Sequence, residues 1–515
     1  MIRTHLARWW LVAAIAMAGA PSGLRGQDES CRPFLDGPRL PFSGPDPGFR
    51  TGAQVLTAGC GSGLGGSIRL VPATALVRYR SGWAYDHNDG SLWTGRGLSV
   101  ALAGGLGFER GPLRVVIDPT LALQQNRSFP TAGTSLRDPY EPIDWPQRLR
   151  DGAFASLAGG QSVVALSGGP AEVAASTENL WWGPARRYPI LLGNSAPGFA
   201  HVRLGTRRPV NVGLGRLDAH VLWGRLDESP QFDTIQGNDH RLLTGFLVEF
   251  QPKLLTGLSL GIAGVQHNAW SNAKAKWLNL FTFPFNEEEY TEGNGLLSVI
   301  AHWRLEESDA DFYLEWARDD YWVSINDLFA EPDRTQGYLL GFEKLVGPER
   351  APFRLSWELV HLGNAGDILT QGFKGGVTGF YAHSTPSAQG HTHQGQLLGA
   401  AIGPSSNAQY FAIERLGPTR SLGIYAERIR RDDDAYYVLF APTYQYTGYD
   451  IELTVGLKGE ERRSAWTMEW EAALSRRKNR GFRGMEVENP YPWHFPVETN
   501  LAISARLFWI PSSAE

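Results

Sequence analysis

The stretch Tyr449-Asp450-Ile451-Glu452-Leu453-Thr454-Val455-Gly456-Leu457-Lys458-Gly459 is followed, after Glu460-Glu461-Arg462-Arg463-Ser464, by Ala465-Trp466-Thr467-Met468-Glu469-Trp470-Glu471-Ala472-Ala473-Leu474-Ser475. Ile451, Leu453, Val455 and Leu457 fall on one face of an extended chain, and Asp450, Glu452 and Thr454 on the other. Trp466, Met468, Trp470, Ala472 and Leu474 repeat the pattern against Thr467, Glu469 and Glu471. A period of two is the signature of a strand with one apolar and one polar face, and the helical period of 3.6 is absent. Each run has about the 9–11 residues that a tilted strand needs to cross a bilayer.

The same alternation returns along the chain. Leu297, Val299, Ala301, Trp303 and Leu305 carry it, as do Phe312, Leu314 and Trp316, and Phe353, Leu355, Trp357 and Leu359, with Arg354 and Glu358 among the opposing residues. Strands of a soluble sandwich average nearer five or six residues. Long strands with charged residues in mid-face suit a water-facing lumen, and Trp303, Trp316, Trp357, Trp466, Trp470 and Trp509 suit interface girdles. The expected class is all-β, a transmembrane antiparallel barrel; a large periplasmic β protein is the competing form.

Composition agrees with many strands and turns: 515 residues, 60 Gly, 42% hydrophobic and 20% charged, with 18 Trp. The net charge of −5 offers no overall basic field, which excludes a nucleic-acid partner. A mean hydropathy of −0.25 is compatible with a membrane barrel, since only every second residue faces lipid. No stretch after the N-terminal segment reads as a spanning helix; the best uncharged windows, Thr51–Ile68 and Gly152–Ala171, contain six and five glycines.

Residues 1–26 read as an export signal, with Arg3, His5 and Arg8 ahead of the uncharged run Trp9–Ala20 and a cleavage zone between Ala20 and Gly26. Residues 27–515 then form the barrel, and the outer membrane is the expected location. Cys31 and Cys60 could close a loop or stay apart. Asp118 to Gln161, with Pro119, Pro130, Pro139, Pro142 and Pro146, is too broken for a strand and reads as a periplasmic cap or inward-folded plug.

The block Ser176-Thr177-Glu178-Asn179-Leu180-Trp181-Trp182-Gly183-Pro184, followed by Leu192-Gly193-Asn194-Ser195-Ala196-Pro197-Gly198-Phe199, resembles the capsule assembly (Wzi) family of outer-membrane proteins. Tyr85 to Gly97, containing Asn88-Asp89-Gly90, Trp93 and Arg96, is similar to another family segment, as are Asp144-Trp145-Pro146-Gln147-Arg148, Phe312 to Asp319, Glu331 to Arg334, and Gly395 to Pro404. The likeness runs from Tyr85 to Pro404. It implies a single barrel of about eighteen strands, occluded by helical and loop segments. It further implies a lectin that helps fasten capsular polysaccharide to the cell surface; the barrel is expected to be monomeric and to meet outer-membrane lipid and lipopolysaccharide. His391-Thr392-His393 departs from the aromatic residues expected there, and a six-residue tail follows Trp509.

Sugar recognition needs flat aromatic faces and planar amide, carboxylate or guanidinium groups. The candidate contacts are Glu178, Asn179, Trp181, Trp182, Arg186, Arg187, Asn194, Asp89, Trp93 and Arg96. Between Asn179 and Leu217 there is no acidic residue, yet Arg186, Arg187, Arg203, Arg207, Arg208 and Arg216 occur, a basic stretch suited to an anionic polysaccharide or to pairing with lumen carboxylates. Gly183-Pro184 suggests that the tryptophan pair sits in a turn. His383, His391 and His393 lack a completing carboxylate for a metal site. Glu287-Glu288-Glu289 and Asp432-Asp433-Asp434 read as solvated outer-loop tips. No catalytic elbow, zinc-protease or phosphate-loop motif occurs, and no cofactor is expected. A diffusion channel and an outer-membrane hydrolase are the alternatives to the lectin.

Overall fold

The computed structural model describes residues 68–509 apart from 86–87, 132–142, 234, 274–292, 320–331, 349, 365–378, 383–388, 438–447, 464 and 486–494. The signal segment, Cys31, Cys60, His383 and the Glu287–Glu289 run lie outside the described residues.

The chain is a closed antiparallel barrel of 18 strands. Its first arc comprises β1 (Ile68–Arg80), β2 (Gly97–Arg110), β3 (Leu113–Ile117), β4 (Thr120–Gln124), β5 (Phe154–Ala158), β6 (Val163–Gly168), β7 (Ala171–Ser176), β8 (His201–Thr206) and β9 (Val210–Asn211). The second begins with β10 (Gly215–Asp227), β11 (His240–Pro252), β12 (Leu258–Ala269), β13 (Gly293–Leu305), β14 (Ala310–Asp319), β15 (Gln336–Val346) and β16 (Phe353–Gly363). A small hairpin, β17 (Thr392–His393) and β18 (Gln396–Leu397), stands apart from the wall, which resumes with β19 (Asn407–Leu416), β20 (Arg420–Arg431), β21 (Asp450–Arg462), β22 (Trp466–Lys478) and β23 (Val497–Trp509). β3 with β4, β5 with β6, and β8 with β9 are interrupted halves of single wall strands. Closure comes from β1, which pairs with β2 on one side and β23 on the other.

Alternation drives this wall. On β21, Leu453, Val455 and Leu457 stay 49–60% exposed on the outside, while Asp450 and Glu452 are buried inside. Exposed aliphatic side chains recur around the outside, from Leu106 and Ile117 through Leu204, Leu260, Val299 and Leu314 to Ile424 and Ile503. An apolar belt of this extent belongs in lipid. Near one end the register lines up Trp303, Phe312, Phe342, Trp357 and Phe411 on adjacent strands β13 to β19, and Trp466 faces Trp509. This row is an aromatic girdle. Trp316 sits four residues further along β14, paired with Tyr338.

Strand order places every short connection at the girdle end, such as Gly111-Pro112, Gly169-Pro170 and 417–419, and every long one at the other. In outer-membrane barrels short turns are periplasmic and long loops extracellular. The Asp118 to Gln161 stretch is corrected accordingly. Its ends are wall, as β4 and β5, paired with one another. The intervening connection leaves from the long-loop end, and among its described residues Ile143, Asp144 and Leu149 are buried inward.

The long connections 81–96, 125–153, 177–200 and 364–406 contribute described residues to the lumen. Leu180, Trp182, Ile190, Leu192, Tyr381 and Leu398 form one hydrophobic core with inward residues of the wall, among them Leu222, Leu243, Val265, Ile300, Val360 and Ile429. Among the described residues these inward loop segments form a plug held to the wall by apolar packing.

Candidate functional site

Thr177 is where the chain leaves the wall after β7, and it rejoins at His201. Between them it crosses the lumen and turns at Gly183-Pro184, where Trp182 N–H donates to Leu192 O at 3.0 Å. Beyond the turn, three successive amides converge on one wall carboxylate. Arg186, Arg187 and Tyr188 N–H donate to Glu358 of β16 at 2.7, 3.0 and 2.8 Å, and Tyr313 Oη of β14 donates to the same group at 2.7 Å. The Tyr313 ring lies over Gly341, where a Cβ would come within 1.9 Å of it. Glycine is what lets the ring lie flat there.

The side chains of this tip are also tied down. Arg186 Nη2 meets Asp311 Oδ2 at 2.7 Å and its guanidinium stands over Tyr313. Arg187 Nε meets Glu427 Oε1 at 2.8 Å and its guanidinium lies 4.5 Å from the Tyr410 ring centroid. Tyr188 Oη donates to Glu427 as well. Burial alone would lower Arg187, but Glu427 outweighs it and holds the guanidinium well above its ordinary value. Burial and Glu427 together push Tyr188 well above the phenol range. Neither group changes charge near neutral pH.

Arg186 and Arg187 line a cavity on the girdle side of the plug. Its other walls include Arg78, Arg354, Lys458 and Arg506 opposite Glu343, Glu414, Glu469 and Glu471, with Tyr410 and Tyr425. Lys458 Nζ is 3.0 Å from Glu414, Arg506 Nη1 is 3.3 Å from Glu469, and Tyr425 Oη donates to Glu471. Six cationic and five acidic side chains line it, so the cavity is charge-balanced rather than basic. It offers guanidinium, carboxylate and phenol groups for hydroxyl pairing.

The other sequence candidates are distributed differently. Trp181 and Trp182 are 3% and 5% exposed, so both rings are packed inside the plug with no open face for a sugar. Glu178 is fully buried, accepts from Ser176 Oγ at 2.8 Å and lies 3.5 Å from Arg203, and burial raises its carboxyl. Asn179 exchanges hydrogen bonds with Gln161 at 2.9 and 3.1 Å. Asn194 Nδ2 donates to Asn88 O at 2.8 Å and joins the plug to the first loop. Within that loop Asp89 accepts from Arg78 at 2.5 Å and Thr94 at 2.8 Å, Trp93 is buried, and Arg96 donates to Ser81 O and Ser128 O. Only Arg186 and Arg187 of the ten face the cavity.

The acid-free stretch from Asn179 to Leu217 is dispersed rather than a patch. Arg203 turns into the lumen 2.9 Å from Glu172, and Arg207 pairs with Glu109 at 3.1 Å beyond β8. The Asp432–Asp434 run also departs from expectation. Asp433 and Asp434 are 4% and 1% exposed, not solvated tips. Asp433 meets Arg430 at 2.5 Å, while Asp434 accepts from Asn364 Nδ2 at 2.9 Å and Ser405 Oγ at 2.8 Å, joining three distant stretches of chain. Burial pushes Asp434 up to about 7. His391 and His393 do not share a partner: His391 faces His267 and Leu191 O, and His393 accepts from Asp227 N–H. Among the described residues no group of three or more His, Cys, Asp or Glu is arranged to hold a metal.

The residues that sequence did not single out are the wall acids Glu358, Glu427 and Asp311. Their only signal was that they are polar positions on the inward face of alternating strands.

No family model matches the chain, and no curated protein matches it. Among solved structures it is similar to Wzi of Escherichia coli, an outer-membrane protein involved in group 1 capsule assembly and described as a carbohydrate-binding β-barrel, with TM-score 0.55, 12% identity, and coverage of 86% of this chain and 85% of that one. OccAB2 of Acinetobacter baumannii aligns with TM-score 0.38, 11% identity, and coverage of 85% and 97%. OprD of Pseudomonas aeruginosa aligns with TM-score 0.36, 10% identity, and coverage of 85% and 92%. The likeness to Wzi is one of fold.

Proposed function

We propose that this chain is an occluded, non-enzymatic outer-membrane barrel that binds a capsular or other surface polysaccharide and helps hold it at the cell surface. The observation that carries this reading is the plug. An apolar core welded to the wall on most sides suits a barrel that grips a ligand and is wasteful in one that passes solutes, because a diffusion channel needs a wetted path. Wzi, with which the fold is shared, binds carbohydrate and acts in capsule assembly. Arg186 and Arg187, set among carboxylates and phenols in the cavity, are the proposed sugar contacts. Because the cavity lies on the girdle side of the plug, the polysaccharide would meet them from the short-turn end, not from the long-loop end. Hydroxyl pairs and sugar carboxylates suit planar, bidentate groups. Outer-membrane lipid and lipopolysaccharide surround the apolar belt, and the barrel acts as a single chain.

The test pairs two measurements on purified full-length protein. Binding to the host's extracted surface polysaccharide is followed by calorimetry, and conductance by planar-bilayer recording. Saturable binding that weakens about tenfold or more in Arg186→Gln/Arg187→Gln, with no stable porin-sized current, is the expected result, each charge-assisted contact contributing roughly 1.5–3 kcal/mol. Steady large conductance without binding would move the protein to the channel class.

A further inference from the structure

On β20 the alternation buries Tyr425 and Glu427 in the lumen and turns Ile424 and Ala426 outward, and the same outward row continues through Arg428 and Arg430. On β22 Leu474 is outward, and Arg476 and Lys478 continue its row. Between them β21 turns out Ile451 and Leu453. Arg428 is in register with Leu453 and Arg476, and Arg430 with Ile451 and Lys478. Four cations therefore stand at the corners of a rectangle about 10 Å across the strands and about 7 Å along them, with an aliphatic column down its middle.

Strand length fixes the height of this patch. Arg430 is ten residues beyond Arg420, the girdle-end residue of β20, and Arg476 is ten beyond Trp466 on β22. At about 3.3 Å per residue and a tilt of about 40°, ten residues climb about 25 Å, the height of the apolar band of an outer-membrane barrel. The cations sit where hydrocarbon gives way to headgroups on the long-loop side. Just below them Ile424, Val455 and Leu474 are 52–60% exposed, a surface for acyl chains.

The protein supplies little counter-charge. Among the described residues, Arg428, Arg476 and Lys478 have no carboxylate partner. Arg428 Nη1 donates to two neutral acceptors of β19, Asn407 Oδ1 at 2.9 Å and Gln409 Oε1 at 3.0 Å, and Lys478 stands over the Phe495 ring at 5.2 Å. Arg430 alone is paired, with Asp433 at 2.5 Å, and its guanidinium lies 4.7 Å from the Tyr449 ring centroid. The rim elsewhere is balanced. On β10 the outward Arg225, ten residues beyond Gly215, meets Asp227 at 2.8 Å, and His240 shares that carboxylate at 2.9 Å. One carboxylate against four cations, at the edge of a hydrocarbon layer that screens poorly, calls for an anion from outside the chain.

We propose that this outward patch is a seat for the phosphorylated headgroup of lipopolysaccharide, with Arg428, Arg430, Arg476 and Lys478 on its phosphates and its acyl chains along Leu453 and Val455. Guanidinium groups suit phosphate oxygens because their donors are paired and planar. The arrangement selects the occupant. Cations directly above exposed aliphatic surface match an anion that carries its own acyl chains, which a free polysaccharide lacks. Two cation columns about 10 Å apart match two phosphates on one disaccharide headgroup, whereas a single phosphodiester reaches one column. The seat lies outside the wall, apart from the lumen cavity of Arg186 and Arg187, so it stands or falls independently of the polysaccharide reading.

Native mass spectrometry of the full-length protein in detergent micelles tests this, with bisphosphorylated lipid A, its phosphate-free form and phosphatidylglycerol as probes. The wild type should hold lipid A about tenfold or more tighter than either other probe, the scale of one charge-assisted contact. Arg476→Gln/Lys478→Gln should lose about tenfold or more for lipid A and bind the phosphate-free form as the wild type does. Arg225→Gln at the balanced rim and Arg186→Gln/Arg187→Gln in the lumen should keep wild-type affinity for lipid A. Equal binding of the three probes by the wild type, or lipid A binding unchanged in Arg476→Gln/Lys478→Gln, would overturn the proposal. So would a loss of host polysaccharide binding, with lipid A retained, in that variant. Heat-modifiable migration reports folding; if the double variant fails it, Arg476→Gln is read instead, and if neither folds the wild-type comparison of probes decides.

Discussion

From β10 to β23 the wall is built of strands of 10 to 13 residues, paired along their length, whereas from β3 to β9 the segments are 2 to 6 residues long. The cause is local chemistry. Pro119 and Pro209 remove ladder donors, and Gly160, at φ +59, sits where a Cβ would meet Asp118 O at 2.1 Å. Side chains take over the missing rungs: Asp118 N–H donates to Ser162 Oγ at 2.9 Å, Thr177 Oγ1 to Gly160 O at 3.0 Å, and Gln161 and Asn179 bond each other. The plug loop leaves from this broken arc and docks its tip on Glu358, Glu427 and Asp311 of the continuous one. The loop is therefore a strut across the lumen. An irregular wall releases it and a regular wall receives it.

The strongest way to break this contrast is at the receiving end. Glu358→Ala strands three backbone donors and the Tyr313 hydroxyl in a buried site and should cost about 3–5 kcal/mol, the range seen when one side of a buried charged cluster is removed. Urea unfolding in detergent measures it, and a loss below about 1 kcal/mol would show that the tip is held mainly by apolar packing. Next comes the lipid face. Val455→Arg, in mid-strand on the continuous arc, should cost about 2–4 kcal/mol on folding into vesicles. Leu204→Arg on the broken arc asks the same question there, and a cost near zero would place that residue at the interface rather than in the hydrocarbon. Smallest is Gln161→Ala, which removes two side-chain rungs at the break and should cost about 1–2 kcal/mol, read by the same urea titration.

Much of the continuous arc was legible because each strand carries its own alternation; β21 and β22 face outward and inward as their residues dictate. The broken arc was not. Pro119 and Gly159-Gly160 interrupt the period at the points where β3 passes to β4 and β5 to β6, so wall segments read as insert. The tryptophan pair was legible as a turn near Gly183, but its burial depends on Leu192 and on wall residues far along the chain. Asp433 and Asp434 illustrate the same blindness: a run of three acids looks solvated until Asn364, Ser405, Asn407 and Arg430 are brought around it. Glu358 was visible only as one more polar position, since nothing in its neighbourhood announces three amides arriving from residues 186–188.

The aromatic row described above belongs to one side of the molecule. Trp303, Phe312, Phe342, Trp357 and Phe411 mark a level on β13 to β19, while the outward positions of β3 to β8 are aliphatic: Ile117, Leu121, Leu157, Val164, Leu166, Val173, Val202 and Leu204. Rings that prefer the headgroup boundary pin a protein's depth, whereas aliphatic surface only asks to be covered. One flank is thus moored and the other floats. When hydrocarbon thickness changes, the moored flank keeps its level and the adjustment falls on the aliphatic flank, so the barrel axis leans instead of riding up or down.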